Sequence, residues 1–382
     1  MKNRKSTTFV TTICFLFLFM AGCASVPKST QSAEEILFNM STEEKVAQLF
    51  VIRLDQIDFK ESTENTKSSY DYGHTKLTSR MKSTLRQYPV GGFCLFANNI
   101  KSKRQLKKLT RNIKNSCKIL PMIAVDEEGG RVARLAQTKS LGIQNVGAME
   151  EIGKTGDVEK AREAGNCIGS YLAAYGFTFD FAPVVDVNTN PENIVIGSRA
   201  FGSDPQLVSD MAGAFLDGLH AQGIKGSIKH FPGHGDTKGD THEDYVAVDK
   251  TWDELLTCEL IPYKANLKQA DTVMVAHVMM TKATSDGLPA SLSKELIMGK
   301  LRGELGYQGV ILTDALAMGA IKKNFGSAKA SVIAFEAGND ILLIPEDFPL
   351  AYEAVLSAVK EEKITMERLD ESVLRILKLK GY

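Results

Sequence analysis

Gly309-Val310-Ile311-Leu312-Thr313-Asp314 is a run of apolar and β-branched residues that stops at a carboxylate. Four such residues in a row suit a parallel strand buried on both faces. The pattern recurs at residues 48–54, 92–97, 122–125, 177–187, 226–229, 273–277 and 341–344, giving eight runs with 310–313. Helix signals fill the segments between. Ser41-x-x-Glu44 is a capping box. Asp204-Pro205 offers an N-cap and a first-turn proline, with Gly223 as the stop. Ala161, Ala164, Ile168 and Leu172 share one helical face that ends at Gly176. Ser291 or Ser293 suits the cap of a helix ending near Gly306, and residues 349–379 read as two amphipathic helices. Eight strand–helix alternations predict an α/β fold, a (β/α)8 TIM-type barrel rather than an open doubly wound sheet. No GxGxxG turn or GxxxxGK[ST] loop follows any strand, which disfavours a nucleotide fold. Residues 56–88 are polar and irregular, and read as a surface insertion after the first strand.

The 382 residues are 43% hydrophobic and 24% charged, a balance that supports one large soluble core. The net charge is +0 and no basic stripe alternates with aromatics, so nothing points to nucleic acid. At the N-terminus, Lys2, Arg4 and Lys5 precede an apolar run over residues 9–20 that ends in Met20-Ala21-Gly22-Cys23. The run is short for a membrane span and has the layout of a signal peptide. Small residues directly before a cysteine resemble a bacterial lipoprotein signal, which would leave Cys23 as the lipidated first residue. A plain secretory signal containing a cysteine is the competing reading. The expected organisation is a signal over 1–22, a lipidated tether over 23–33 and one catalytic domain over 34–382, anchored to a membrane outside the cytoplasm. Cys94, Cys117, Cys167 and Cys258 show no metal spacing and are expected as buried free thiols.

Ionisable residues gather where the strands end, and that is where barrel chemistry sits. The third run leads into Asp126-Glu127-Glu128-Gly129-Gly130-Arg131, the fourth into Asp186-Val187-Asn188, the fifth into Lys229-His230, the sixth into His277 and the seventh into Asp314. The densest segment is Lys229-His230-Phe231-Pro232-Gly233-His234-Gly235-Asp236-Thr237-Lys238-Gly239-Asp240-Thr241-His242. Its glycines and proline predict a long mobile loop. Asp240 and His242 stand two apart, so the carboxylate can meet one imidazole nitrogen and orient a general acid/base. A metal site, a phosphate-binding loop and a merely structural loop remain open on these residues alone. Asp314 taken alone also suits a helix cap.

Taken together, the motifs resemble glycoside hydrolase family 3, in its β-N-acetylglucosaminidase branch, over about residues 36–345. They are Glu44-Lys-Val-Ala-Gln-Leu-Phe50, Ala124-Val-Asp126-Glu-Glu-Gly-Gly-Arg-Val-x-Arg134, Asp180-Phe-Ala-Pro-Val-Val-Asp186-Val-Asn188, Ile196-Gly-Ser-Arg199-Ala-Phe-Gly202, the KHFPGHG stretch with its downstream Asp-Thr-His, and Leu312-Thr-Asp314-Ala-Leu-x-Met318. The resemblance implies that Asp314 is the nucleophile, His242 the acid/base and Asp240 its partner. It implies that Asp126, Arg134, Arg199, Lys229 and His230 hold hydroxyls of the terminal sugar. His234 and His277 are expected near the site as structural polar groups. The implied activity is retaining hydrolysis of terminal β-linked N-acetylglucosamine from peptidoglycan fragments (muropeptides) or related oligosaccharides, with no metal or cofactor, by a monomer. Substrate-assisted catalysis, phosphorolysis and a non-catalytic sugar-binding lipoprotein are the alternatives.

Overall fold

The computed structural model describes residues 31–58, 73–237 and 246–382. The signal peptide, Cys23, most of the tether, part of the 56–88 segment, and Asp240 and His242 lie outside the described residues.

Each of the eight apolar runs contributes a strand: β1 Phe50–Ile52, β2 Gly92–Cys94, β3 Met122–Val125, β4 Phe179–Asp180, β5 Lys225–Phe231, β6 Thr272–Val275, β7 Val310–Thr313 and β8 Leu342–Leu343. They pair in parallel in the order β7-β6-β5-β4-β3-β2-β1-β8. A parallel bridge between Leu312 and Ile341 brings β8 back to β7 and closes the barrel. Val51 pairs with both Gly92 and Leu343, and Ile311 pairs with Val273, while the β5–β6 pairing shifts register between Ile228 and Phe231. Helices cover the outside, including Lys103–Ser116, Val158–Ala174, Pro205–Ala221, Gly319–Ala337 and Phe348–Lys360. With both sheet faces covered, the strands are buried throughout except Lys225 at the start of β5.

Several sequence expectations are refined. The fourth run pairs regularly only over Phe179–Asp180, with a single further bridge from Val184 to Lys229. Pro183 falls between and has no N–H to give to a ladder, so Asp186 sits on the loop beyond. The 56–88 segment is not wholly irregular. Thr78 caps a regular helix, Ser79–Gln87, that buries Met81 and Leu85 one turn apart. Ser293, not Ser291, provides the cap near the Glu295–Glu304 helix, its hydroxyl accepting from the Leu296 N–H at 3.1 Å. The four described cysteines are free, but only Cys94 is buried. Cys167 is exposed because it lies on the side of its helix opposite Ile168 and Leu172, which face the core.

Two contacts fix the outer layer. Helices Val158–Ala174 and Pro205–Ala221 cross with their backbones nearly touching. A methyl group on Gly165 would lie 2.1 Å from the Phe215 carbonyl, and one on Gly218 would lie 2.2 Å from the Arg162 carbonyl. Phe348 and Tyr352 meet Phe50 and Tyr88 in edge contacts, with ring centres 4.9 to 6.4 Å apart.

The barrel seam is held by a buried charge. Asp340, just before β8, accepts from the Ile311 N–H at 3.0 Å and pairs with Arg302 at 2.6 Å, Arg375 at 3.1 Å and Arg368 at 3.4 Å. Asp340→Asn keeps the shape but leaves three guanidinium groups around a neutral amide. It is expected to destabilise the fold by about 3–5 kcal/mol, read as a lowered urea midpoint with an unchanged slope. A loss below about 1 kcal/mol would mean that the arginines find other partners.

Candidate active site

A cavity of about 470 Å³ opens at the C-terminal ends of the strands. Its wall brings together six residues singled out in the sequence: Asp126, Arg134, Arg199, Lys229, His230 and Asp314. They arrive from different elements. Asp126 follows β3, and Arg134 sits on the short hairpin that continues from it. Arg199 ends the Gly197–Arg199 turn, Lys229 and His230 lie within β5, and Asp314 follows β7. Asp240 and His242 lie outside the described residues.

At the floor of the cavity sits a residue with no assigned role in the sequence reading, Glu128. Arg199 grips it with two parallel bonds of 2.8 Å, and Lys229 approaches to 2.6 Å. Lys229 also donates to Asp126 at 2.9 Å. The sequence does carry a signal for Glu128. In an extended chain, residues two apart face the same side, so Asp126 and Glu128 both face the cavity while Glu127 points away. Burial alone would push the Glu128 carboxyl up, but Arg199 and Lys229 outweigh it and hold the group well below the usual carboxylate range. Burial likewise opposes the charge on Lys229, yet Asp126 and Glu128 raise its pKa. Glu128 and Lys229 are therefore both ionised before any ligand arrives.

Glu127 points into the protein and ties the hairpin down. Its carboxylate accepts from the Leu135 and Ala136 N–H groups at 2.8 and 2.9 Å and from the Tyr171 hydroxyl at 2.9 Å. Those two amides directly follow Arg134, whose guanidinium stacks 5.9 Å from the Phe96 ring centre. Gly129 and Gly130 make the turn, with φ of +96° and +53°, where a side chain would be strained.

His230 is fixed from both sides. Its Nδ1 lies 2.7 Å from Asp186 Oδ2, and its Nε2 lies 3.2 Å from Arg199 Nη2. The guanidinium can only donate, so Nε2 accepts and Nδ1–H faces Asp186. Asp186 also accepts from the His234 N–H at 2.6 Å. Asn193 donates to the His234 carbonyl at 2.7 Å, and Asn190 to the Thr237 carbonyl at 3.0 Å. The stretch 231–237 is thus a bonded and mostly buried wall, while residues 238–242 of the expected mobile loop lie outside the described residues. Gly235 allows this because its backbone presses against the Val187 carbonyl. His277 is fully buried and reaches Ser291 Oγ at 2.6 Å and the Ala315 carbonyl at 3.0 Å, steadying the residue after Asp314.

Among the described residues, no group of three or more His, Cys, Asp or Glu side chains could hold a metal ion, and no helix is long and apolar enough to cross a membrane.

The sequence profile of the glycosyl hydrolase family 3 N-terminal domain matches residues 41–379. The chain belongs to this family. The barrel is the region that the family's N-terminal domain profile covers. The chain is 34% identical over 335 residues to beta-hexosaminidase A of Pseudoalteromonas piscicida, covering 80% of this chain but 56% of the relative. It is 35% identical over 313 residues to a beta-hexosaminidase of Pseudomonas aeruginosa, covering 82% of this chain and 90% of the relative. A family 3 beta-N-acetylglucosaminidase structure from Paenibacillus sp. superposes with a TM-score of 0.81 at 35% identity, covering 89% of this chain and 62% of that one. The chain thus spans little more than half of the Pseudoalteromonas and Paenibacillus proteins.

Glu128 gives a pH test. A carboxylate with a depressed folded-state pKa contributes stability above its ordinary value of 4.5, and that contribution is lost as pH falls below it. Glu128→Gln is expected to lower the urea midpoint clearly near pH 7, with the gap from the parent narrowing toward about pH 3. A constant gap would show that packing rather than charge sets the effect.

Proposed function

We propose that the chain is a retaining exo-β-N-acetylglucosaminidase acting by double displacement. The observation that carries this reading is the arrangement of the cavity. A ring of prepaired ionic groups, Asp126, Glu128, Lys229 and Arg199 with His230, shares one cavity with the carboxylate of Asp314, which enters at the end of β7. Carboxylates and fixed donors side by side suit the hydroxyls of one sugar ring, since each hydroxyl both donates and accepts. Asp314 attacks the anomeric carbon while the leaving oxygen takes a proton, and water then releases the sugar with retained configuration. The similarity to proteins named beta-hexosaminidase and beta-N-acetylglucosaminidase supports the acetamido sugar as the unit recognised.

The proton carrier is assigned from the sequence motif to His242, oriented by Asp240. An imidazole oriented by a carboxylate can both protonate the leaving group and deprotonate water near neutral pH. Asp126, Arg134, Arg199, Lys229 and His230 hold the terminal sugar. The N-terminal pattern supports a lipoprotein anchored at Cys23 outside the cytoplasm, a place that suits muropeptide fragments carrying β-linked N-acetylglucosamine as the natural substrate.

On an aryl β-N-acetylglucosaminide, Asp314→Asn is expected to reduce turnover to background. His242→Ala should cost about 10²–10⁴-fold in kcat. A 2-fluoro sugar should label the peptide carrying Asp314; inactivation with the label elsewhere would overturn the nucleophile assignment. Product analysis with added phosphate separates hydrolysis from phosphorolysis, since sugar 1-phosphate forms only in the latter. Sugar binding with no turnover of any N-acetylglucosaminide would leave a binding lipoprotein instead.

A further inference from the structure

His234 is 3% exposed and forms part of the cavity wall, yet its Nε2 has no hydrogen-bond partner among the described residues. Its other nitrogen, Nδ1, lies 2.7 Å from Thr237 Oγ1. The surroundings of that hydroxyl decide which nitrogen carries the proton. The His234 carbonyl already accepts from Asn193 at 2.7 Å, and the same Asn193 amide donates to Thr237 Oγ1 at 3.3 Å. With the carbonyl already engaged, Nδ1 at 2.7 Å is the shorter of the two acceptors open to the Thr237 hydroxyl proton, the other being the carbonyl at 2.9 Å. With Nδ1 accepting, the ring proton sits on Nε2, and a buried donor faces the cavity. Burial lowers the pKa of His234 in spite of the nearby Asp186 and Asp314 carboxylates, so the ring is a neutral donor.

Buried donors are almost always satisfied, and one aimed into a cavity marks where a ligand acceptor belongs. Asp126, Glu128, Arg199, Lys229 and His230 are already bonded to one another on the floor. His234 lies beyond them along the chain and is within electrostatic reach of Asp314, the group facing the anomeric carbon. The ring atoms beside that carbon are the ring oxygen and C2. In an N-acetylated sugar, C2 carries an amide carbonyl, a far stronger acceptor than a ring ether. Met274, Ala315 and Met318 line the same cavity and offer an apolar surface to the acetyl methyl.

We infer that His234 Nε2–H donates to the 2-acetamido oxygen of the bound sugar, making His234 a determinant of the preference for N-acetylated over plain hexoses. This rests on the N-acetylglucosaminidase reading above.

The test measures binding of free N-acetylglucosamine and free glucose by calorimetry, using the full chain. His234→Phe keeps a flat ring without the donor, and His234→Gln returns an N–H. The Phe variant is expected to weaken N-acetylglucosamine about tenfold while glucose changes less than about twofold, with most of the loss recovered by Gln. Thr237→Val removes the hydroxyl that fixes the proton on Nε2 and is expected to produce the same selective loss, which carries the test if the Phe variant does not fold. Equal weakening of both sugars, or retained preference in both His234→Phe and Thr237→Val, overturns the inference while leaving the substrate reading intact. A parent chain that binds the two sugars alike overturns the substrate reading and the inference with it.

Discussion

The buried carboxylate of Glu128 is the point on which the site depends. Two cations meet it, one from the β5 strand and one from the turn after β4, and each is buried or nearly so. None of the three would be tolerated alone in that position, because an unpaired buried charge costs far more than the pair returns. Together they fix the positions of three chain segments that are distant in sequence. Lys229 passes the constraint to Asp126, and Arg199 passes it to His230 and so to Asp186. The wall from Phe231 to Thr237 inherits its shape from Asp186 in turn.

The barrel itself was legible in the sequence because its strands obey one rule. Buried on both faces, they read as short apolar runs with no alternation to confuse them. Where a second constraint intrudes, the reading blurs. Pro183 breaks the fourth run, so its polar end is a loop rather than a strand tip. The helix at Ser79–Gln87 was hidden by a mean polarity that concealed its two buried apolar positions, Met81 and Leu85. Cys167 looked buried by composition and is exposed by phase on its helix.

Site residues were legible to the extent that their position at strand ends and their motifs spoke for them. Asp126, Arg134, Arg199, Lys229, His230 and Asp314 all reach one cavity. Glu128 was concealed by its neighbours, since Asp126-Glu127-Glu128 reads as an acidic run until side-chain direction is considered. The three carboxylates then separate into two that face the cavity and one that anchors the hairpin. The rigidity of the 231–237 stretch was unreadable for a different reason: its partners, Asp186, Asn190 and Asn193, come from another loop.

Asp126, Glu128, Lys229, Arg199 and His230 on the floor of the cavity are bonded to one another before any ligand enters, so the floor behaves as a mould rather than a grasping hand. Little side-chain entropy remains to be lost there on binding, and more of each new contact is available for discrimination. A mould of this kind judges stereochemistry. On the proposed sugar substrate, an epimer with one hydroxyl inverted would misplace a donor or acceptor against this fixed set, and the set cannot rearrange without stranding a charge.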